Sequence, residues 1–358
     1  TSGQPRPPVQ ASEVLMSPDG EHVIATVTNN VYHFPVPLTG ADTPPTVSVA
    51  NPASAPVPVR RLTRIGGDFI GWARDGRSLY YALGNAFFTY DLGASAEPAR
   101  DPAAPYEAAR TNIVITVPRD RPSGTIALVG ARIIPVAGDV IERGTVLVRG
   151  NRIAAVGPVD AVTVPADARR IDVTGKTILP GWVDIHSHMG APNGIHRTNV
   201  WAYRTNLAYG VTTTRNPQTG TTDILSYSDL VETGAILGPR LYSTGPGVFA
   251  QENIRSLDDA RDVLRRYAEF YRTHTIKQYE TGQRNVRQWI IMAARELGLM
   301  PTTEGSLDLE MNITELLDGY TGHEHNFPIT PLFEDVVQLA AQSGTTYTPT
   351  LLVVYGGP

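Results

Sequence analysis

The sequence predicts a mixed α/β chain built on a (β/α)8 TIM-type barrel, of which seven strands are present. A small β-sandwich segment precedes the barrel, and a partial β-propeller-like all-β region precedes that. Three observations carry this expectation. Short β-rich runs with Asp-Gly turns fill residues 12–92, tight-turned strands fill 124–178, and strands alternate with helical patterns from 179 onward. At roughly 100–200 residues per domain, a chain of 358 residues suits two or three domains. The expected divisions are 1–97 for the propeller-like region, 98–123 for a linker, 124–180 for the sandwich segment and 181–358 for the barrel.

In the first region, Ser17-Pro18-Asp19-Gly20 enters the strand Glu21 to Val27, and a partner strand runs from Asn30 to Val36. Arg74-Asp75-Gly76-Arg77 enters Ser78 to Leu83, followed by Ala86 to Leu92. Asp-Gly between alternating apolar runs signals a hairpin. The two units stand about 55–60 residues apart, a weak internal repeat of the kind propeller blades give. Two blades cannot close a ring of four to eight. Residues 98–122, rich in Ala, Pro and Arg, read as a linker with one strand at Asn112 to Val117. Short strands are then expected at Ala127 to Ile134, Thr145 to Arg149 and Arg152 to Val156, with Gly150-Asn151 as the turn.

The seven barrel strands are expected at Trp182 to His188, Val211 to Arg215, Arg240 to Thr244, Thr275 to Tyr279, Leu299 to Glu304, Thr321 to Asn326 and Thr345 to Val353. Ser256-x-x-Asp259 is a capping box ahead of a helix with Leu257, Ala260, Leu264, Tyr267 and Tyr271 on one face. Val286, Trp289, Ile290, Ala293 and Leu297 repeat the spacing and stop at Gly298. Thr330-Pro331 is expected to start a further helix ending at Gly344. An eighth strand should begin where the chain ends, so the chain reads as truncated at both ends.

Composition narrows the function. Thirty basic against 35 acidic residues, a net charge of −5, argue against a nucleic-acid partner. No run approaches the ~18 apolar residues of a membrane span, and Thr1 to Gln10 is Pro-rich and unlike a signal peptide. With no cysteine, any metal must be held by His, carboxylate or a modified lysine.

The sharpest chemical signal is Pro180-Gly181-Trp182-Val183-Asp184-Ile185-His186-Ser187-His188. Residues i and i+2 of a strand share a face, so His186 and His188 would project together from the C-terminal end of the first barrel strand. Two neutral imidazoles on one side suit a zinc-like ion.

Pro-Gly-x-x-Asp-x-His-x-His, preceded by Gly175-Lys176-Thr177-Ile178-Leu179-Pro180, resembles the amidohydrolase superfamily of metal-dependent hydrolases. The resemblance covers about residues 124–358 and is similar in flavour to its imidazolonepropionase/prolidase-like branch. Gly210-Val211-Thr212-Thr213-Thr214-Arg215 looks like that superfamily's second strand. The Ser-Pro-Asp-Gly turns resemble those of TolB-like propellers, which implies a periplasmic or secreted home.

The resemblance implies one or two divalent metals, zinc above all, and a set of ligands. His186 and His188 would hold one ion. Lys277, on the fourth strand, would be carboxylated by CO2 and bridge to a second; this needs a neutral amine, which burial favours. The fifth strand usually gives a histidine, and here Glu304 is the anionic group on offer. The sixth gives His325, following Glu324, with His323 as its rival on the same face. An aspartate of the eighth strand would lie past Pro358, which leaves catalysis by this chain alone open. His196, in the first βα loop, and His323 are candidate substrate contacts, against plainer readings as a surface and a core histidine. The implied reaction is hydrolysis of an amide, cyclic amide or dipeptide-like C–N bond by a metal-activated hydroxide. The substrate would be a small molecule or peptide-like; oligomerisation stays open. Two other readings stand beside it: a mononuclear, deaminase-like hydrolase with Lys277 unmodified, and a non-catalytic binding protein with a degenerate site.

Overall fold

The Asp-Gly turns take the form their side chains dictate. Asp19 Oδ1 accepts from Ser17 Oγ at 2.5 Å and from the Glu21 N–H at 3.1 Å, and Asp75 Oδ1 accepts from the N–H groups of Arg77 and Ser78 at 2.9 Å. Such bonds reverse the chain locally and let the flanking strands pair. The computed structural model describes residues 9–38, 40, 42–43, 45–96, 106–190, 193–279 and 281–355. Contacts divide the chain into two units, one of Thr1–Ile115 with Thr244–Pro358 and one of Thr116–Ser243.

The first unit opens with two four-stranded antiparallel sheets. One comprises β1 (Glu13–Met16), β2 (His22–Val27), β3 (Asn30–Pro35) and β4 (Arg60–Arg61). The other comprises β5 (Asp68–Trp72), β6 (Ser78–Leu83), β7 (Ala86–Asp91) and β8 (Ala109–Asn112), with the short helix α1 (Leu92–Ala96) after β7. Alternate residues of both sheets, among them Ile24, Val31, Leu79 and Tyr81, meet in one apolar cluster. The strand expected at Asn112 to Val117 instead ends at Asn112, because past Ile113, whose N–H reaches Asn85 O, no further ladder partner is present among the described residues. Residues 98–105 of the expected linker lie outside the described residues.

The second unit carries β9 (Thr125–Ile133), β10 (Ile141–Arg149), β11 (Arg152–Pro158), β12 (Arg169–Asp172) and β13 (Thr177–Ile178) in one five-stranded sheet. Its three-stranded parallel sheet follows, from β14 (Trp182–Asp184), β15 (Val211–Asn216) and β16 (Arg240–Ser243), with helices α2 (Trp201–Ala208) and α3 (Asp223–Thr233). Met189, Tyr203, Ile224, Tyr227 and Leu241 form the core between that sheet and its helices. The Pro-Gly before β14 has a steric reason: a Cβ on Gly181 would overlap the Thr212 side chain.

Back in the first unit, β17 (Val248–Phe249), α4 (Leu257–Arg265), β18 (Thr275–Tyr279), α5 (Arg284–Glu296), β19 (Met300–Glu304), α6 (Leu309–Asp318), β20 (Gly322–Glu324), α7 (Glu334–Ser343), β21 (Thr346–Thr348) and α8 (Leu351–Tyr355) follow in order. The five strands lie parallel, side by side in chain order. The capping residue Ser256 accepts from the Asp259 N–H at 3.1 Å, as the motif predicts. The alternating βα pattern is thus observed, as a three-stranded and a five-stranded parallel sheet rather than a closed barrel. Three expectations need correction. The two-residue strand β17, too short to leave a periodic trace, is an addition to the seven. The last strand stops at Thr348, since Pro349 has no N–H for the ladder, and a short helix replaces its second half. Helix α7 begins at Glu334 rather than at Pro331, with Phe333 still extended. Among the described residues no helix is long and apolar enough to cross a membrane.

Helix α4 runs into a π-helical turn, Arg266–Tyr271, whose side chains Arg266, Tyr267, Phe270 and Tyr271 are all buried. Arg266 pairs with Glu252 at 2.9 Å, both nearly inaccessible, and donates to Ile65 O at 2.7 Å; Asn29 Nδ2 donates to the same carboxylate at 2.6 Å. Gly84 lies so close to Phe270 O that a Cβ would overlap it. The N-terminal sheets are therefore fastened to the turn that leads into β18. Arg266→Ala leaves Glu252 buried without its cation, and should cost about 3–5 kcal/mol in urea unfolding. A loss below ~1 kcal/mol would contradict that fastening.

Candidate metal centre

Each unit contributes one group of the expected site residues. In the second unit, Asp184 Oδ1 accepts from the His186 N–H at 3.0 Å, a local bond that ends β14 before the histidines. His186 and His188 therefore follow the strand instead of lying on it, a correction to the sequence reading. Their common direction survives. The Ser187 N–H donates to Arg215 O at 3.0 Å, and Ser187 and Met189 are buried on the core side. His186 and His188 turn the other way, and their Nε2 atoms stand 3.2 Å apart with the rings nearly perpendicular. With Zn–N bonds of about 2.0–2.1 Å, adjacent tetrahedral ligands place their nitrogens at about this spacing. The donor pair fits a zinc-like ion. His188 also borders a cleft of about 240 Å³ lined by Asn193, Asn216, Gln218, Thr221 and Ile224.

In the first unit the parallel register does the positioning. Lys277 pairs with Thr302, Gln278 with Thr303 and Glu304 with Glu324. Lys277 and Glu304 thus share one face of the sheet. Lys277 is completely buried, and its Nζ lies 2.6 Å from Glu304 Oε2, off the axis of a well-aligned hydrogen bond. It also sits 4.9 Å from the Tyr279 ring centre. His325 Nε2 lies 2.9 Å from Glu304 Oε1, and its Nδ1 stands 2.5 Å from Thr350 Oγ1. Burial raises the Glu304 carboxyl, but the hydrogen bond from His325 and the close approach of Lys277 outweigh it and hold the group below the ordinary carboxylate range.

His323 and His325 do not share a face as the i, i+2 spacing predicts. His325 follows the last residue of β20 and takes a left-handed backbone, φ +68°. It meets Glu304, whereas His323 is completely buried with Nε2 3.8 Å from Glu315 Oε2 and stacks near Phe327 and Tyr347. His196 bonds Asp223 Oδ1 at 3.0 Å and packs on Tyr227. His323 is thus closed off from solvent, while the His196 side chain stays about a third exposed. Among the described residues, no three His, Asp or Glu side chains are gathered to hold one ion. The sequence reading missed Thr350 and Glu315. Neither carries a motif, and Glu315 stands among polar and apolar residues of α6 with no pattern to mark it as buried.

No family model matches the chain. It is 42% identical over 65 residues to a 5-methylthioadenosine/S-adenosylhomocysteine deaminase of Symbiobacterium thermophilum, 18% of this chain and 15% of that one. It is 33% identical over 78 residues to a dihydroorotase of Anaeromyxobacter dehalogenans, 22% of this chain and 18% of that one. The matches thus span less than a fifth of those relatives. In fold it is similar to a Xaa-Pro dipeptidase, with a TM-score of 0.53 at 19% identity over 64% of this chain and 67% of that one. These likenesses support the amidohydrolase part of the resemblance.

Burial lowers the His323 pKa to about 4, against the opposing pull of the His325 backbone and the Glu324 charge. The unfolded histidine titrates near 6.5, so between these values the unfolded chain binds more protons. Stability should therefore fall as pH drops from about 6.5 to about 4, by up to ~3 kcal/mol from this residue. A His323 ring that titrates near 6.5 in an NMR pH series would contradict its burial.

Proposed function

We propose that the chain is a metal-dependent hydrolase of a C–N bond in an amide, cyclic amide or dipeptide-like small molecule. The paired Nε2 atoms of His186 and His188 carry this reading, supported by the similarity to a deaminase and a dihydroorotase. His186 and His188 would hold one zinc-like ion, and Lys277, Glu304 and His325 would be the donors for a further one. Such an ion supplies Lewis acidity and lowers the pKa of water to about 7. The protein's own part is to aim the donors. Asp184 fixes the backbone at His186, and Thr350 orients the His325 ring, leaving Nε2 to face Glu304.

Lys277 can take CO2 once its ammonium gives up a proton: the amine nitrogen bonds to the carbon as one C–O π bond opens, a second proton leaves the nitrogen, and the lysine becomes an anionic carbamate. That change replaces a cation beside Glu304 by an anion, so it requires positive charge to arrive at the same place. A second reading keeps Lys277 as an ammonium in a one-metal site, favoured by its 2.6 Å approach to Glu304. Protein equilibrated with 13C-bicarbonate and zinc separates the two, since the carbamate carbon gives its own NMR signal. We also read the two N-terminal four-stranded sheets as propeller blades, on their antiparallel order and repeated turns.

The test is zinc-dependent turnover on dipeptides, N-acyl amino acids, lactams and cyclic ureides. His188→Ala should lower kcat/KM about 10³-fold, the several kcal/mol an aimed ion contributes to the transition state. Turnover that survives both a chelator and His188→Ala would overturn the reading.

A further inference from the structure

Beneath Lys277, Glu304 and His325, on the reverse face of the same strands, lies a carboxylate that the proposed chemistry does not use. Glu315, on α6, is completely buried. Its Oε1 accepts from Gln278 Nε2 at 3.0 Å and from Thr303 Oγ1 at 2.9 Å, and its Oε2 faces His323 Nε2 at 3.8 Å. Gln278 also donates to Thr303, and its Oε1 accepts from the Thr281 N–H and Oγ1 at 2.9 and 2.8 Å. Gln278, Thr303 and His323 are register partners on three adjacent strands. Each stands next to a candidate site residue: Gln278 follows Lys277, Thr303 precedes Glu304, and His323 precedes Glu324 and His325.

We infer that Glu315 is a positioning residue that sets the Lys277–Glu304–His325 group by clamping β18 and β19 from their reverse face, with His323 of β20 packed beside it. The rationale is geometric. The backbone ladder fixes the register of these strands, and side-chain bonds across the reverse face restrain the smaller twists and tilts that remain, so a shift at Thr303 carries Glu304 with it. Gln278, Thr303 and Glu315 are all completely buried, so water does not compete for these bonds. A carboxylate in such a place costs desolvation that a leucine would avoid. It is poorly placed as mere packing, and well placed as an acceptor that two strands can share.

The inference rests on the proposed function for what the positioning serves, and its test does not. Protein carrying 15N-labelled histidine gives a His325 imidazole signal, assigned by its loss in His325→Gln. Glu315→Ala should shift that signal, because the Glu304 contact at 2.9 Å is lost or lengthened. Glu315→Gln, which keeps an acceptor for Gln278 and Thr303, should restore it. Amide exchange should rise in the peptides holding Lys277, Glu304 and His325 in Glu315→Ala alone. Where the wild-type protein binds Zn2+ in a titration, Glu315→Ala should weaken binding about 10-fold or more. A folded Glu315→Ala with an unmoved His325 signal and unchanged exchange overturns the inference; should Glu315→Ala not fold, a displaced His325 signal in a folded Glu315→Gln overturns it equally. Wild-type protein that binds no Zn2+ strikes at the proposed function instead, while the imidazole signal still decides this one.

Discussion

A lysine ammonium with no access to water needs an anion within reach, and Glu304 supplies it to Lys277 across one strand. The rest of the first unit's site is arranged around that contact. The register of β18 on β19 brings the two side chains to one face, and His325 closes on the other oxygen of the same carboxylate. Removing Glu304 would strand a buried cation, and removing Lys277 would leave a carboxylate held only by an imidazole. The trio is best understood as one electrostatic unit that must be redistributed, not merely extended, when an ion or a carbamate enters.

The structure builds this unit on rigid elements. Five parallel strands provide the floor, and polar groups on the reverse face tie two of them to α6. Upstream, the π-helical turn joins the same floor to the N-terminal sheets through the Arg266–Glu252 pair. The histidine pair of the second unit has its own support, with Ser187 and Met189 anchored on the core side and Asp184 closing the turn. His186, His188 and His325 sit where a strand has just ended, whereas Lys277 and Glu304 stand on the strands themselves.

That arrangement explains what was legible in the sequence. The parallel strands showed as β-rich runs between helical periods, and the His-x-His pair showed as a motif, because both depend on spacing along one segment. Lys277, Glu304 and His325 could be assigned through the resemblance, and the structure brings these three together. The divergence of His323 and His325 to opposite faces was not legible, since it turns on one left-handed residue at position 325. Neither was Glu315, whose burial depends on which helix covers which strands. The helix start near Pro331 and the end of the last strand were misjudged by a few residues, where local sequence offers two acceptable stops.

The central claim is that these donors exist to hold metal. It is tested most directly by metal content per chain, measured by elemental analysis of protein purified without chelator and equilibrated with zinc and bicarbonate. The account predicts one to two zinc-like ions per chain, falling in His186→Ala and in Lys277→Ala. Less than about a tenth of an ion per folded chain would contradict it, and would leave Lys277, Glu304 and His325 as a structural ion-pair network.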